Sequence, residues 1–290
     1  MPSTPTSAIS QQRNVPLLAP ATLALLFGFV LPLANLAAES FRQFTPGRVG
    51  SVEGAPFTFE NYSELATSSF GGVLAQTFWM SGVASAFALL IAFPLAYYIV
   101  RRLSPAWRTV ALGFMITLVM LSVLVKIYAV SLTFGSVGLL RPVMMFLDIS
   151  MNGRGYIQSV VIAGLVHAIV PVAVLTLIGA VQNVDPRLVD AAQSLGAPAW
   201  KAHLGITVPL CLPALISTYM VALTYSLSAF VIPLVLGKRR VLFLSNIVYT
   251  RFSDIANYPS GAAVSIVMLL VSLGVIYALS LWQHRREARG

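Results

Sequence analysis

Six apolar runs, each long enough to cross a bilayer, set the terms on which this chain can fold. They fall at residues 17–38, 73–100, 109–132, 159–180, 214–236 and 262–282, and a bilayer-spanning helix needs roughly 20 apolar residues. Within hydrocarbon the backbone N–H and C=O groups must be satisfied inside the segment, so runs of this kind can only be helices. Of the 290 residues, 58% are hydrophobic and 9% charged, against about 25% charged in a soluble domain. The expected class is an all-α integral membrane protein with six transmembrane helices, a single membrane domain over 17–290 behind a polar tail at 1–16.

The segments between the runs narrow the function by exclusion. Residues 1–16 are rich in Ser, Thr, Pro and Gln, with Arg13 the one charge. The run at 17–38 exceeds the 7–15 residues of a signal-peptide core and reads as an uncleaved first span. The net charge of +9 is spread over many loops and both termini, which suits anionic lipid headgroups better than nucleic acid. One cysteine, Cys211, excludes an internal disulfide, and three histidines, His167, His203 and His284, do not suggest a metal site. No G-x-x-x-x-G-K-[ST] phosphate loop occurs; Gly237-Lys238 is followed by Arg239 and lacks the preceding glycine. No Ser/His/Asp or paired-carboxylate set lies at a common depth, so no catalytic residue is assigned and an enzyme is not expected.

The most informative connection is the loop at 181–213. Asp185 can cap a helix and Pro186 suits its first position. Leu188, Ala191, Ala192 and Leu195 then fall at i, i+3, i+4 and i+7, one apolar face. Gly196 stands where the chain leaves that helix, a position that favours positive φ. Pro198 opens a second short helix with Trp200 and Leu204 on its apolar side, and Pro209 and Pro213 are expected to separate the pair from the next span. Burying each leucine is worth roughly 1.5–3 kcal/mol, so the face calls for a docking partner. The alternative is that it packs on the protein's own helices or lies in the lipid interface.

Asp190-Ala191-Ala192, three residues, Gly196, nine residues and Ile206-x-Val208-Pro209 resemble the EAA loop of ABC importer permeases. That motif reads Glu-Ala-Ala, three residues, Gly, nine residues, Ile-x-Leu-Pro, and the departures are Asp190 for Glu and Val208 for Leu. The resemblance implies a type I ABC importer permease (MetI-like) fold in a bacterial inner membrane, with both termini cytoplasmic. It implies that Leu188, Asp190, Ala191, Ala192, Leu195, Gly196, Ile206 and Pro209 couple the chain to an ATPase. The implied partners are two cytoplasmic ATPase subunits, which would use ATP and Mg with no cofactor in this chain, a second permease (identical or homologous), and a periplasmic solute-binding protein. Counted on that orientation, Lys and Arg number nine inside and eight outside, so charge alone barely decides it.

Further stretches resemble the spermidine/putrescine permeases of the PotB-like kind. They are Phe59-Glu60-Asn61-Tyr62, Thr77, Phe93-Pro94-Leu95-Ala96-Tyr97, Phe230-Val231-Ile232-Pro233-Leu234-Val235-Leu236-Gly237, and Tyr258-Pro259-x-Gly261-Ala262-Ala263. That resemblance implies import of a polyamine or an opine-like compound; iron(III) is a rival solute, and an ion-coupled secondary transporter a rival class.

Within the spans, Thr218, Tyr219, Thr224, Tyr225, Ser226 and Ser228 could line a translocation path or serve as interhelical glue. Lys126 is expected near the outer end of the third span, snorkelling to the interface. His167 is expected to be satisfied between helices, and Pro94 and Pro171 to kink their spans.

Overall fold

The computed structural model describes residues 15–48, 50–51 and 54–287; most of the tail expected at 1–16, and Arg13 with it, lies outside them. The chain is helical, and among the described residues the only strand-like pairing is one antiparallel bridge between Arg42 and Phe57. In order the helices are α1 (Val15–Leu25), α2 (Leu31–Glu39), α3 (Glu60–Ser63), α4 (Ser68–Arg101), α5 (Pro105–Met120), α6 (Val123–Phe134) and α7 (Arg141–Phe146). There follow α8 (Arg154–Asn183), α9 (Pro186–Ser194), α10 (Ala199–Ala202), α11 (Val208–Leu227), α12 (Val231–Leu236), α13 (Leu244–Tyr249) and α14 (Tyr258–Glu287). Wider π-turns at Leu26–Val30 and His203–Thr207 join α1 to α2 and α10 to α11.

Five continuous stretches are long and apolar enough to cross a membrane: Ala19–Glu39, Ser68–Arg101, Arg154–Asn183, Ala199–Leu227 and Tyr258–Arg285. A sixth crossing is the pair α5 and α6, bent by 97°. Three expectations from the sequence change here. The third span, expected unbroken over 109–132, breaks at Leu121 and Ser122, both in extended conformation. The fifth, expected at 214–236, instead runs over Ala199–Leu227, and residues 231–236 form the separate helix α12. Pro209 and Pro213 therefore lie inside a continuous helix instead of ending the loop. Pro209 lacks an N–H for the Gly205 carbonyl and crowds it; the turn before it widens to π geometry and the helix continues.

The single domain expected over 17–290 is divided. One compact unit comprises the described residues of 1–67 and 248–267, the other those of 68–247 and 268–290. In the first, Asn61 is 5% exposed and donates from Nδ2 to the carbonyls of Ser40 and Arg42, both at 2.9 Å. Phe41 stacks on Phe57 at 5.0 Å, and Arg251 reaches Glu64 at 3.8 Å.

The second unit is built around α8. Ile157, Val161, Leu165, Ala168, Ala173, Val174, Leu177 and Val181 are all at most 2% exposed, and α4, α5, α6, α11 and α12 all pack on this helix. Its chief neighbour, α4, turns inward a stripe of small residues: Ser81, Ala84, Ser85, Ala88, Ala92 and Ala96, each 0% exposed. Where lipid tails surround the helices, association depends on close packing, and small residues permit it. Pro94 and Pro171 sit within unbroken helices.

The break between α11 and α12 is sustained by side chains. Pro233 has no N–H to give the Ala229 carbonyl, and Ser245 Oγ donates to that oxygen at 2.7 Å instead. Asn246 Nδ2 donates to the Phe230 carbonyl at 3.0 Å. The turn that follows is tied to α4, because Gln76 Nε2 donates to Leu242 O at 3.1 Å and Leu244 N to Thr77 Oγ1 at 3.1 Å.

Two stability predictions follow. Replacing Ala88 by Leu overpacks the α4–α8 seam and should cost about 1–3 kcal/mol; Ser245→Ala orphans the half-buried Ala229 carbonyl and should cost about 1 kcal/mol. Thermal unfolding in detergent checks both, with Leu90→Ala, on the exposed side of α4, as the near-neutral control.

Candidate functional site

Two regions carry the residues singled out in the sequence. The first is the loop between α8 and α11. Asp185 caps α9, accepting from Arg187 N at 2.9 Å, with Pro186 at the first helical position. At the far end Gly196 has φ +91° and donates to Gln193 O at 2.9 Å, while Ala197 N donates to Ala192 O at 3.1 Å. That pair of bonds is a Schellman motif, which needs a left-handed residue after the helix. The sharp end lets α10 begin at once.

The face formed by Leu188, Ala191, Ala192 and Leu195 is largely uncovered. Leu195 is 90% exposed and Leu188 47%, Asp190 and Ala191 are exposed, and Ala192 is half-buried; the helix turns Val189, 6% exposed, inward instead. Trp200 and Leu204 continue the exposed surface at 61% and 59%. Ile206 is half-buried in the π-turn and Pro209 is exposed. The apolar face is thus not spent on this chain's own helices.

The second region lies where the two broken helices meet. A cavity of about 280 Å³ is lined by Val123 at the start of α6, Tyr225 and Ser228 near the end of α11, and Ala229, Phe230, Val231 and Ile232 at the second break. Of the six hydroxyl residues expected together, Tyr225 and Ser228 reach this cavity. Thr218, 1% exposed, shares with Tyr225 a crevice of about 10 Å³, about the room one water needs. Tyr219 lies 3.4 Å from the Gly82 carbonyl, an interhelical contact. Thr224 and Ser228 donate to carbonyls of their own helix, at 2.8 and 3.0 Å. Ser226 and Thr218 are buried without a hydrogen-bond partner.

Two expectations are corrected. Lys126 does not snorkel: it is 5% exposed and forms no ion pair among the described residues. The 97° bend a few residues earlier removes it from the straight path that would have carried it to the interface. His167 is not packed between helices; it is exposed, at a groove of about 630 Å³ lined also by Phe87, Ile91, Met115, Leu118 and Pro171. Sequence reasoning missed the breaks that form the cavity. Only Pro233 hinted at the second, and nothing but Ser122 at the first.

Long apolar helices, two of them interrupted beside a cavity, together with an unburied amphipathic helix, mark a membrane transport component. The chain belongs to the family described as "Binding-protein-dependent transport system inner membrane component", whose model matches residues 84–289; it is an ABC importer permease. It is 29% identical over 265 residues to the spermidine/putrescine transport system permease protein PotB of Haemophilus influenzae, covering 90% of this chain and 89% of that one. The Escherichia coli PotB is 26% identical over 217 residues, covering 74% and 78%. A putative 2-aminoethylphosphonate transport system permease protein, PhnU of Salmonella typhi, is 25% identical over 279 residues, covering 95% and 91%. Among solved structures, a bacterial alginate ABC transporter in complex with alginate pentasaccharide-bound periplasmic protein matches with TM-score 0.74 over 94% of this chain and 96% of that one, at 17% identity. That likeness bears out the MetI-like fold. Family membership implies ATPase and solute-binding-protein partners and a multi-pass place in the inner membrane.

Gly196→Val places a β-branched side chain at φ +91°, a strain of about 1–2 kcal/mol. Uptake by the assembled transporter should fall while membrane insertion, followed by blotting of membrane fractions, stays normal. Full uptake would remove the helix-ending role.

Proposed function

We propose that this chain is one of two permease subunits, the second identical or homologous, that carry a polyamine such as spermidine or putrescine inward by ATP-driven alternating access. Both termini and the α9 loop face the cytoplasm in this reading, and two ATPase subunits, which hydrolyse ATP with Mg, dock on that loop. A periplasmic binding protein delivers the solute to the opposite face. The observation that carries the reading is the uncovered α9 surface, with Leu195 90% exposed beside Leu188, Trp200 and Leu204. A partner's groove would supply the missing burial, worth roughly 1.5–3 kcal/mol per leucine. Differential contact of that surface with open and closed ATPase states is what drives the permease between its conformations.

The PotB relatives support the polyamine as solute. The cavity at the two breaks offers the Tyr225 and Ser228 hydroxyls as acceptors for ammonium groups. A second reading, a solute bearing an anionic group, is favoured by Lys126, a buried cation with no carboxylate paired to it among the described residues, and by the PhnU relative.

The test is uptake by proteoliposomes containing both permeases, the ATPase and the binding protein. Radiolabelled spermidine should accumulate only with ATP; accumulation without the ATPase would overturn the reading. Lys126→Met should leave spermidine uptake nearly normal, whereas loss of 2-aminoethylphosphonate uptake in that variant would favour the second solute class. Leu195→Asp should strip the ATPase from the purified complex, and unchanged copurification would take that residue out of the interface.

A further inference from the structure

One turn of α4 grips both ends of the α9 loop. Arg101, the last residue of α4, donates from Nη2 to the carbonyls of Val181, at 2.6 Å, and of Val184. Val181 lies in the final turn of α8, and Val184 is the extended residue, φ −76° and ψ 124°, between that helix and the Asp185 cap. Carbonyls at a helix C-terminus have no intrahelical donor, and a cation is favourable there. Both valines are at most 8% exposed, so the guanidinium satisfies groups largely shielded from water.

Four residues earlier, on the same face of α4, the Tyr97 ring meets the His203 ring edge-on, with centroids 4.8 Å apart and planes at 69°. His203 opens the π-turn that leads from α10 into α11, and its Nδ1 lies 3.2 Å from Oγ1 of the buried Thr207. The loop has two natural points of compliance: the extended Val184 on the way in and the widened His203–Thr207 turn on the way out. A load applied to α9 would bend the chain at those points first. Arg101 sits on one and Tyr97 on the other.

We infer that Tyr97 and Arg101 are positioning residues that make the α9 loop and α4 move as one body. This inference rests on the proposed docking of an ATPase on α9. Force entering at Leu188 and Leu195 then reaches α4, and through its small-residue seam α8, as well as the two helices that directly flank the loop.

The test uses the full transporter in nanodiscs, with Cys211→Ser to remove the native thiol and spin labels at the exposed positions 102 and 187. With Tyr97 and Arg101 in place, the inter-label distance should stay narrow and unchanged between the ATP-free and vanadate-trapped states. Arg101→Ala should broaden it and lower spermidine uptake per ATP hydrolysed by about fivefold or more, the low end of ordinary coupling free energies. Tyr97→Leu should act alike and Tyr97→Phe should be silent. Arg101→Lys should recover part of the loss, since an ammonium reaches one carbonyl but cannot span both. Arg101→Ala and Tyr97→Leu complexes with undisturbed distances, or with undisturbed uptake per ATP, would overturn the clamp. Should the parent complex take up no spermidine, the proposed solute falls, while the label distances still decide the clamp.

Discussion

The seam between α4 and α8 is the contact on which the second unit depends. In water a bundle gains by removing leucines from solvent, but in lipid that gain largely vanishes, and what remains is packing and hydrogen bonding. Ser81, Ala84, Ser85, Ala88, Ala92 and Ala96, all fully buried, give α8 a flat surface to approach. Several bulky residues of α4, Trp79, Phe87, Leu90 and Ile91, are 48–69% exposed and turn outward, while Met80 and Ile99 are the large ones it buries. This is the inverse of a soluble helix, whose large apolar side chains point in. With α8 seated on that surface, α5, α6, α11 and α12 can pack around it.

A close-packed scaffold can hold interrupted helices only if the interruptions are paid in hydrogen bonds. At the second break, Ser245 replaces the donor that Pro233 removes from the Ala229 carbonyl, and Asn246 adds a second donor to the Phe230 carbonyl. The segment that supplies them is itself pinned to α4 through Gln76 and Thr77, and Arg154 donates to Gln76 Oε1 at 2.8 Å, adding the start of α8. Irregular backbone at membrane depth is tolerated where protein buries it or a cavity is lined by it, and both conditions hold here. The cavity is therefore a consequence of the scaffold and not a gap in it.

Much of this was legible in the sequence, for reasons that differ by region. Length and apolarity found the membrane helices, because the cost of exposing backbone to lipid leaves one solution. The α9 loop was legible in detail: Asp185, Pro186 and Gly196 act locally, and local chemistry is what a sequence states directly. The broken third span was not, since Leu121 and Ser122 carry no Pro or Gly signal. Lys126 was misplaced for the same reason, a straight helix having been assumed. The hydroxyl residues of α11 were read as a group because they are neighbours in sequence. Helical geometry spreads them around the axis, so Tyr225 and Ser228 reach the cavity while Tyr219 turns to Gly82.

The same distinction explains why the α9 surface and the hydroxyls of α11 differ in character. The α9 helix has a fixed shape and an uncovered apolar face: a capped start, a Schellman end and a 90% exposed leucine. Along α11, by contrast, the buried hydroxyls of Thr218 and Ser226 remain without hydrogen-bond partners among the described residues. An unpartnered hydroxyl costs about 1–3 kcal/mol when buried, and a water or a rearranged neighbour recovers it. Local order is thus concentrated in the α9 loop, and unsatisfied polarity within α11.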